Sequence, residues 1–191
     1  EVKGNDNLIK AVRVKWFDTY SIAGSTDLYT NIEELQVWVG HVNIAPTSTI
    51  IGTFTPLTGY SESNLTDGAF GDGTSSMWHS DGTSVIGQHV GVEFSNAINI
   101  NDIQALVLYP RSSAVFGNPA YYYTRLNGAK IQFVGVDDSI VYESDYLTDQ
   151  QGIYVVKGLK YNTATLTSSA STSQIYDGSG LNIWEETIPS F

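Results

Sequence analysis

The sequence predicts an all-β domain, an antiparallel β-sandwich of jelly-roll type with long loops at one end and little helix. Three observations carry this. Roughly eight short apolar runs are separated by clusters of Gly, Asn, Asp, Ser and Pro, the pattern of strands joined by turns. No segment sustains a 3.6-residue apolar period with caps. Hydrophobic residues make up 41% of the 191 and charged ones 15%, so a chain of this length buries a real core and is not a solvating, disordered one.

The strands follow in order. Leu8 to Phe17 sets Ala11, Arg13 and Lys15 against Val12, Val14 and Trp16, the two-residue period of a half-buried strand. Asp18 to Thr30 is rich in Ser, Gly, Thr and Asp and reads as a loop. Glu34 to Val39, Ile50 to Thr55 and Gln88 to Phe94 are further strands, and Ile103 to Pro110 is a central one closed by proline. Ala129 to Val136 and Ile140 to Ser144 form a hairpin around Asp137-Asp138-Ser139. Gly152 to Leu159 completes the set. The reading is one domain over residues 1–191, with its core in about 8–160 and a C-terminal extension over about 161–191. Thr165 to Ser173 is a polar stretch of linker composition, and Leu181 to Ile188 is either a last strand or the beginning of something further. Glu1-Val2-Lys3-Gly4 has neither an initiator Met nor an apolar signal core, which reads as a fragment or processed product.

Composition narrows the function. The formal net charge is −11, and nine basic residues spread along the chain form no stripe. Nucleic-acid binding and docking on an anionic membrane are therefore not expected. Cysteine is absent, so disulfides, thiolate metal sites and Cys nucleophiles are excluded. The apolar runs are strand-sized, and no membrane insertion is expected. No nucleophile elbow, phosphate loop or His-rich metal set occurs. His41 and His89 lie in strand patterns far apart, with nothing to bring three histidines onto zinc. The adjacent carboxylates Glu33-Glu34 and Asp137-Asp138 point to opposite faces of a strand and do not flank one bond. The expectation is a protein that is not an enzyme.

The stretch from Asn64 to Gly128 holds the chemistry. Asp67-Gly68 and Asp72-Gly73 supply carboxylates, tight turns and exposed carbonyls. Such hard oxygen donors suit calcium, though not in EF-hand spacing; the same dipeptides also read as plain turn chemistry. After them come Met77-Trp78-His79-Ser80, the strand at Gln88, Leu106 to Arg111, and Thr124-Arg125-Leu126-Asn127-Gly128. This ordered set resembles the discoidin superfamily (coagulation factor 5/8 C-type, galactose-binding-like, with carbohydrate-binding family 32 and the fucolectins). It is similar to such modules in virion proteins of large algal DNA viruses. Asn31 to Ala45 resembles the edge strand of these domains, and the likeness spans about residues 8–160.

The resemblance implies a structural calcium ion. Its ligands would be the Asp67 carboxylate, carbonyls near Asn64 and Ala69 or Asp72, a hydroxyl near Thr74 or Ser75, and Glu34 of the edge strand. It also implies sugar binding in one of two ways. The fucose-binding pattern falls on His79, Arg111 and Arg125, and the galactose-binding pattern on Arg111 and Asn118. In the fucose lectins the two arginines are joined by a short acidic loop with adjacent cysteines; here the joining segment is longer and has neither. Guanidinium donors suit neighbouring hydroxyls, and aromatic rings such as Trp78, Tyr109 and Tyr122, with Tyr121 and Tyr123 beside it, suit the apolar face of a sugar. The implied partner is a glycan or glycoprotein surface, at an extracellular or virion surface. The alternative is an assembly module binding other structural proteins. Each residue also has a plainer reading. Trp78 is core or wall, His79 holds a loop carbonyl, Arg111 caps a sheet end, and Arg125 pins the turn into Asn127-Gly128. The sequon Asn64-Leu65-Thr66 lies inside the calcium loop and is expected to stay unmodified.

Overall fold

A computed structural model describes residues 7–18, 21–22, 25–26, 28–69, 76–82, 84–111, 123–148 and 154–157. Asp72, Thr74, Ser75, Asn118, Tyr121, Tyr122 and the extension 161–191 lie outside the described residues. The strands are β1 (Leu8–Trp16), β2 (Ser21–Ile22), β3 (Ser25–Thr26), β4 (Asn31–Ile32), β5 (Glu34–Val39), β6 (Val42–Asn43) and β7 (Thr49–Gly52). They continue with β8 (Trp78–His79), β9 (His89–Asn99), β10 (Ile103–Tyr109), β11 (Ala129–Gly135), β12 (Ile140–Glu143) and β13 (Tyr154–Lys157). Helix among the described residues is confined to short 3-10 turns at Ala45–Thr47, Glu62–Leu65, Ile100–Asp102 and Tyr123–Leu126.

The strands build one sheet in the order β12-β11-β1-β9-β7 and a second in the order β13-β10-β5-β6, with two-stranded ladders β2-β3 and β4-β8. Every pairing is antiparallel. The alternation in β1 explains its place at the centre of the larger sheet. Val12, Val14 and Trp16 are buried in the core, while Arg13 and Lys15 lie on the opposite face and are only half-buried. The inner faces of both sheets supply a single core: Val12, Val90, Ile131 and Phe133 from one, and Leu35, Val37, Leu106 and Leu108 from the other. This is the sandwich the strand pattern predicts.

On the outer face of the larger sheet the fold gathers cations that the sequence spreads out. Lys15 pairs with Lys130 on one side and His89 on the other. Arg13 Nε donates to Gln132 Oε1 at 2.9 Å, Gln132 Nε2 donates to Glu143 Oε2 at 2.6 Å, and Lys130 Nζ meets Glu143 Oε1 at 2.6 Å. Burial, with Arg13 and Lys15 nearby, holds the His89 imidazole below its usual range. Gly91 lets β9 approach β1: a Cβ there would sit 2.1 Å from the Val12 carbonyl oxygen. The hairpin around Asp137-Asp138-Ser139 is present, with Asp138 at φ 68 and Gly135 N–H donating to Ser139 O at 2.8 Å.

One irregularity positions the candidate site. Glu34 is the register partner of Tyr109, and the N–H of Glu33 also donates to the Tyr109 carbonyl at 2.9 Å. Two residues therefore face one, which is a β-bulge. It shifts the parity of the strand. Ile32 points into the core before it, and Leu35 and Val37 do so after it. Glu33 and Glu34 are both buried, at 3% and 0% exposure, where a regular strand would have placed one of them inward among apolar side chains.

Candidate functional site

The β4-β8 ladder closes one end of the sandwich. Asn31 pairs with His79 and Ile32 with Trp78. Thr30 and Ser80 extend the ladder, since Thr30 N–H donates to Ser80 Oγ at 2.8 Å and Ser80 N–H donates to Thr30 O at 2.9 Å. Cross-strand partners share a face. Ile32 and Trp78 therefore turn to the core together, and Asn31 and His79 turn together to the other side. Trp78 is 2% exposed and packs against Phe54 at 5.4 Å, which in turn meets Trp16 at 5.3 Å. The reading of Trp78 as a sugar-stacking ring is thus corrected: parity sends it inward.

His79 and Arg125 meet on the other face. Arg125 Nη1 lies 3.2 Å from His79 Nε2, and His79 Nδ1 lies 2.8 Å from the Ser80 carbonyl oxygen. A carbonyl only accepts and a guanidinium only donates, so Nδ1 carries the proton and Nε2 accepts from Arg125. The imidazole is neutral in this arrangement, with both nitrogens engaged. His79 accordingly fixes Arg125 rather than reaching outward. Arg125 is held at its backbone as well. Its carbonyl accepts from Trp16 Nε1 at 3.0 Å and from Thr30 Oγ1 at 3.2 Å, so a core strand and the ladder both grip the turn Tyr123–Leu126.

Two tyrosines flank this pair. The Tyr29 ring is 5.4 Å from the His79 ring and 5.6 Å from the Arg125 guanidinium carbon, and Tyr60 lies 4.9 Å from His79 on a tilted face. Tyr29 remains 39% exposed while His79 and Arg125 are buried. Gly82, at φ +81, accommodates the Tyr29 ring, since a Cβ there would approach it to 2.5 Å. The arrangement is an aromatic surface backed by a fixed cation, able to take a flat, partly apolar ligand edged with hydroxyls.

Arg111 is buried at 6% exposure. It follows Pro110 at the end of β10, the strand that pairs with β5. Tyr109 stays half-buried at the end of β10, opposite the bulge.

The second cluster surrounds Glu34. Its Oε2 accepts from the Gly68 N–H at 3.1 Å, so the carboxylate lies under the 64–69 loop. Oε1 is buried and makes no hydrogen bond. Burial, helped by the neighbouring Asp67 charge, outweighs the opposing pull of the Gly68 N–H and the Gln36 side chain and raises the Glu34 carboxyl to about 7. Asp67 is exposed and its Oδ1 accepts from Ala69 N–H at 2.8 Å. Asn64 ties the loop to the start of β8, donating to the Met77 carbonyl at 3.0 Å, and is 9% exposed. An orphaned carboxylate oxygen beside a second carboxylate fits a hard cation. Asp72 and Thr74 fall outside the described residues, and no group of three or more acidic or histidine side chains occurs among the described ones.

Sequence reasoning missed Tyr29, Tyr60 and Asn31. Tyr29 and Asn31 share the face that carries His79, and the signal was alternation on either side of Thr30 and Ser80. Tyr60 carries no such signal, because it arrives from a loop. No family model matches the chain, and no curated protein or solved structure matches it.

Proposed function

We propose that the chain is a non-catalytic, discoidin-like binding module that takes a neutral sugar at the Tyr29–Tyr60 surface over His79 and Arg125. The observation that carries this reading is the pair of tyrosine rings against a buried, geometrically fixed His–Arg pair. A pyranose presents one apolar face and a rim of hydroxyls. The rings suit the face, and a guanidinium with donors in a fixed fork suits the rim. Burial of the polar pair strengthens each such hydrogen bond, because little water competes. Calcium belongs to the same reading as a structural ion. Glu34 and Asp67 would hold it, and its charge would neutralise a carboxylate that burial otherwise opposes.

The test is calorimetric titration with a panel of methyl glycosides of fucose, galactose, mannose and glucose, with calcium present. Saturable binding by at least one is expected, and Tyr29→Ala should weaken it about tenfold, the worth of one good stacking contact. Absence of binding by every sugar at millimolar concentration refutes the reading.

A further inference from the structure

Asn31 has a feature that no neighbour explains. It is 1% exposed, and neither its Oδ1 nor its Nδ2 makes a hydrogen bond. Buried side-chain amides ordinarily satisfy both ends, because each unmet group costs stability. Asn31 is also the cross-strand partner of His79, so its amide shares the face on which His79 holds Arg125. Tyr29 precedes it by two residues and meets the His79 ring. The extended backbone puts Tyr29 and Asn31 on one side, with the partly exposed ring toward solvent and the amide inward.

We infer that Asn31 is the specificity-determining residue of the site, its amide reading two neighbouring hydroxyl groups of the bound sugar. The inference rests on the sugar-binding reading and goes further by naming the group that discriminates. The chemistry is complementary at both ends. Oδ1 accepts from one hydroxyl and Nδ2 donates to the oxygen of the next, so a vicinal diol satisfies the amide completely. A site that hydrogen-bonds a hydroxyl rejects the analogue lacking it, because the buried amide is then left unmet. The aromatic rings supply contact area without choosing among sugars, and His79 is spent on Arg125 and Ser80. Arg125 only donates, so Asn31 is the group that can both accept from one hydroxyl and donate to its neighbour.

Asn31→Leu is the variant that separates this role from a structural one. Leucine has a similar volume and no polar atoms, so it removes two unmet groups from the fold. The expected result has two parts. The melting temperature stays level or rises, and affinity for the tightest-binding methyl glycoside of the panel falls at least tenfold. With the wild type, removing either hydroxyl of the recognised pair, using monodeoxy glycosides, lowers affinity by a similar factor. With Asn31→Leu the deoxy and parent sugars bind alike. A lowered melting temperature in both Asn31→Leu and Asn31→Ala overturns the inference, since it makes Asn31 a structural residue. Unchanged sugar binding in Asn31→Leu overturns it while leaving the sugar-binding reading intact. A wild type that binds no glycoside removes both.

Discussion

Replacing Glu34 by glutamine probes the second cluster, and its effect can be worked out beforehand. The folded chain raises the Glu34 carboxyl to about 7 from an ordinary 4.5. A carboxyl with a raised folded value binds its proton more tightly when folded. Its stabilising contribution is therefore full below about pH 4.5 and is lost as pH rises through about 7. Between pH 5 and pH 8.5 that loss is roughly 2.5 kcal/mol, near 5–10 °C in Tm for a domain of this size. Glutamine cannot ionise. It keeps the acceptor for Gly68 N–H, and the cost of its extra amide protons is the same at both pH values. Urea unfolding in a chelator, for both proteins at both pH values, isolates the effect of ionising Glu34. The difference between variant and wild type should change by roughly 2.5 kcal/mol in favour of glutamine at pH 8.5. Saturating calcium should then restore the wild type, by about 2.7 kcal/mol at a hundredfold excess over Kd, and leave Glu34→Gln unaffected. Parallel pH profiles would refute the burial argument. Equal calcium stabilisation of both proteins would remove Glu34 from the ion.

Two further substitutions test the frame around the site. Gly91→Ala places a methyl group 2.1 Å from the Val12 carbonyl, a backbone atom that cannot move aside, and should cost about 3 kcal/mol or more in urea unfolding, the scale of overpacking; a loss under about 0.5 kcal/mol would show that β1 and β9 separate easily. Arg125→Met keeps the stem but deprives His79 Nε2 of its donor, and should cost about 1–3 kcal/mol while shifting the His79 ring signals in an NMR spectrum; unchanged signals would refute the assigned tautomer.

Much of the sandwich was legible in the sequence because period-two alternation is local. β1, β5 and β11 fall where Val, Ile and Leu recur against charged or polar neighbours, and β10 is a short apolar run closed by Pro110, all within a residue or two of the expected ends. The hairpin at Asp137 to Ser139 was legible because Asp, Asp and Ser between two apolar runs are turn residues. The site was legible only in part. The meeting of His79 with Arg125 joins residues 46 apart through a two-residue ladder and a 3-10 turn, and no local pattern encodes that approach. The orientation of Trp78 was decidable in principle, since neighbours on a strand cannot both face one ligand. What fixes which of the two turns inward is Ile32 on the partner strand, and that pairing is tertiary. Asn31 was passed over because an asparagine before an apolar residue is unremarkable until its neighbours are known. The gathering of Arg13, Lys15 and Lys130 was invisible for the same reason: they are distant along the chain and adjacent across the sheet.

The doubled opposition of Glu33 and Glu34 to Tyr109 bears on how this segment tolerates change of length. Substitution at either glutamate changes a side chain and leaves the register in place. Deleting one residue there would restore a regular strand and exchange inside for outside across the whole ladder. Ile32 would turn to the rim and Asn31 to the apolar interior, or else Leu35 and Val37 would leave the core. Both the sandwich and the tyrosine-lined end thus depend on a single supernumerary residue. Variation in this segment should run through side-chain identity, with the residue count between Asn31 and Leu35 held fixed.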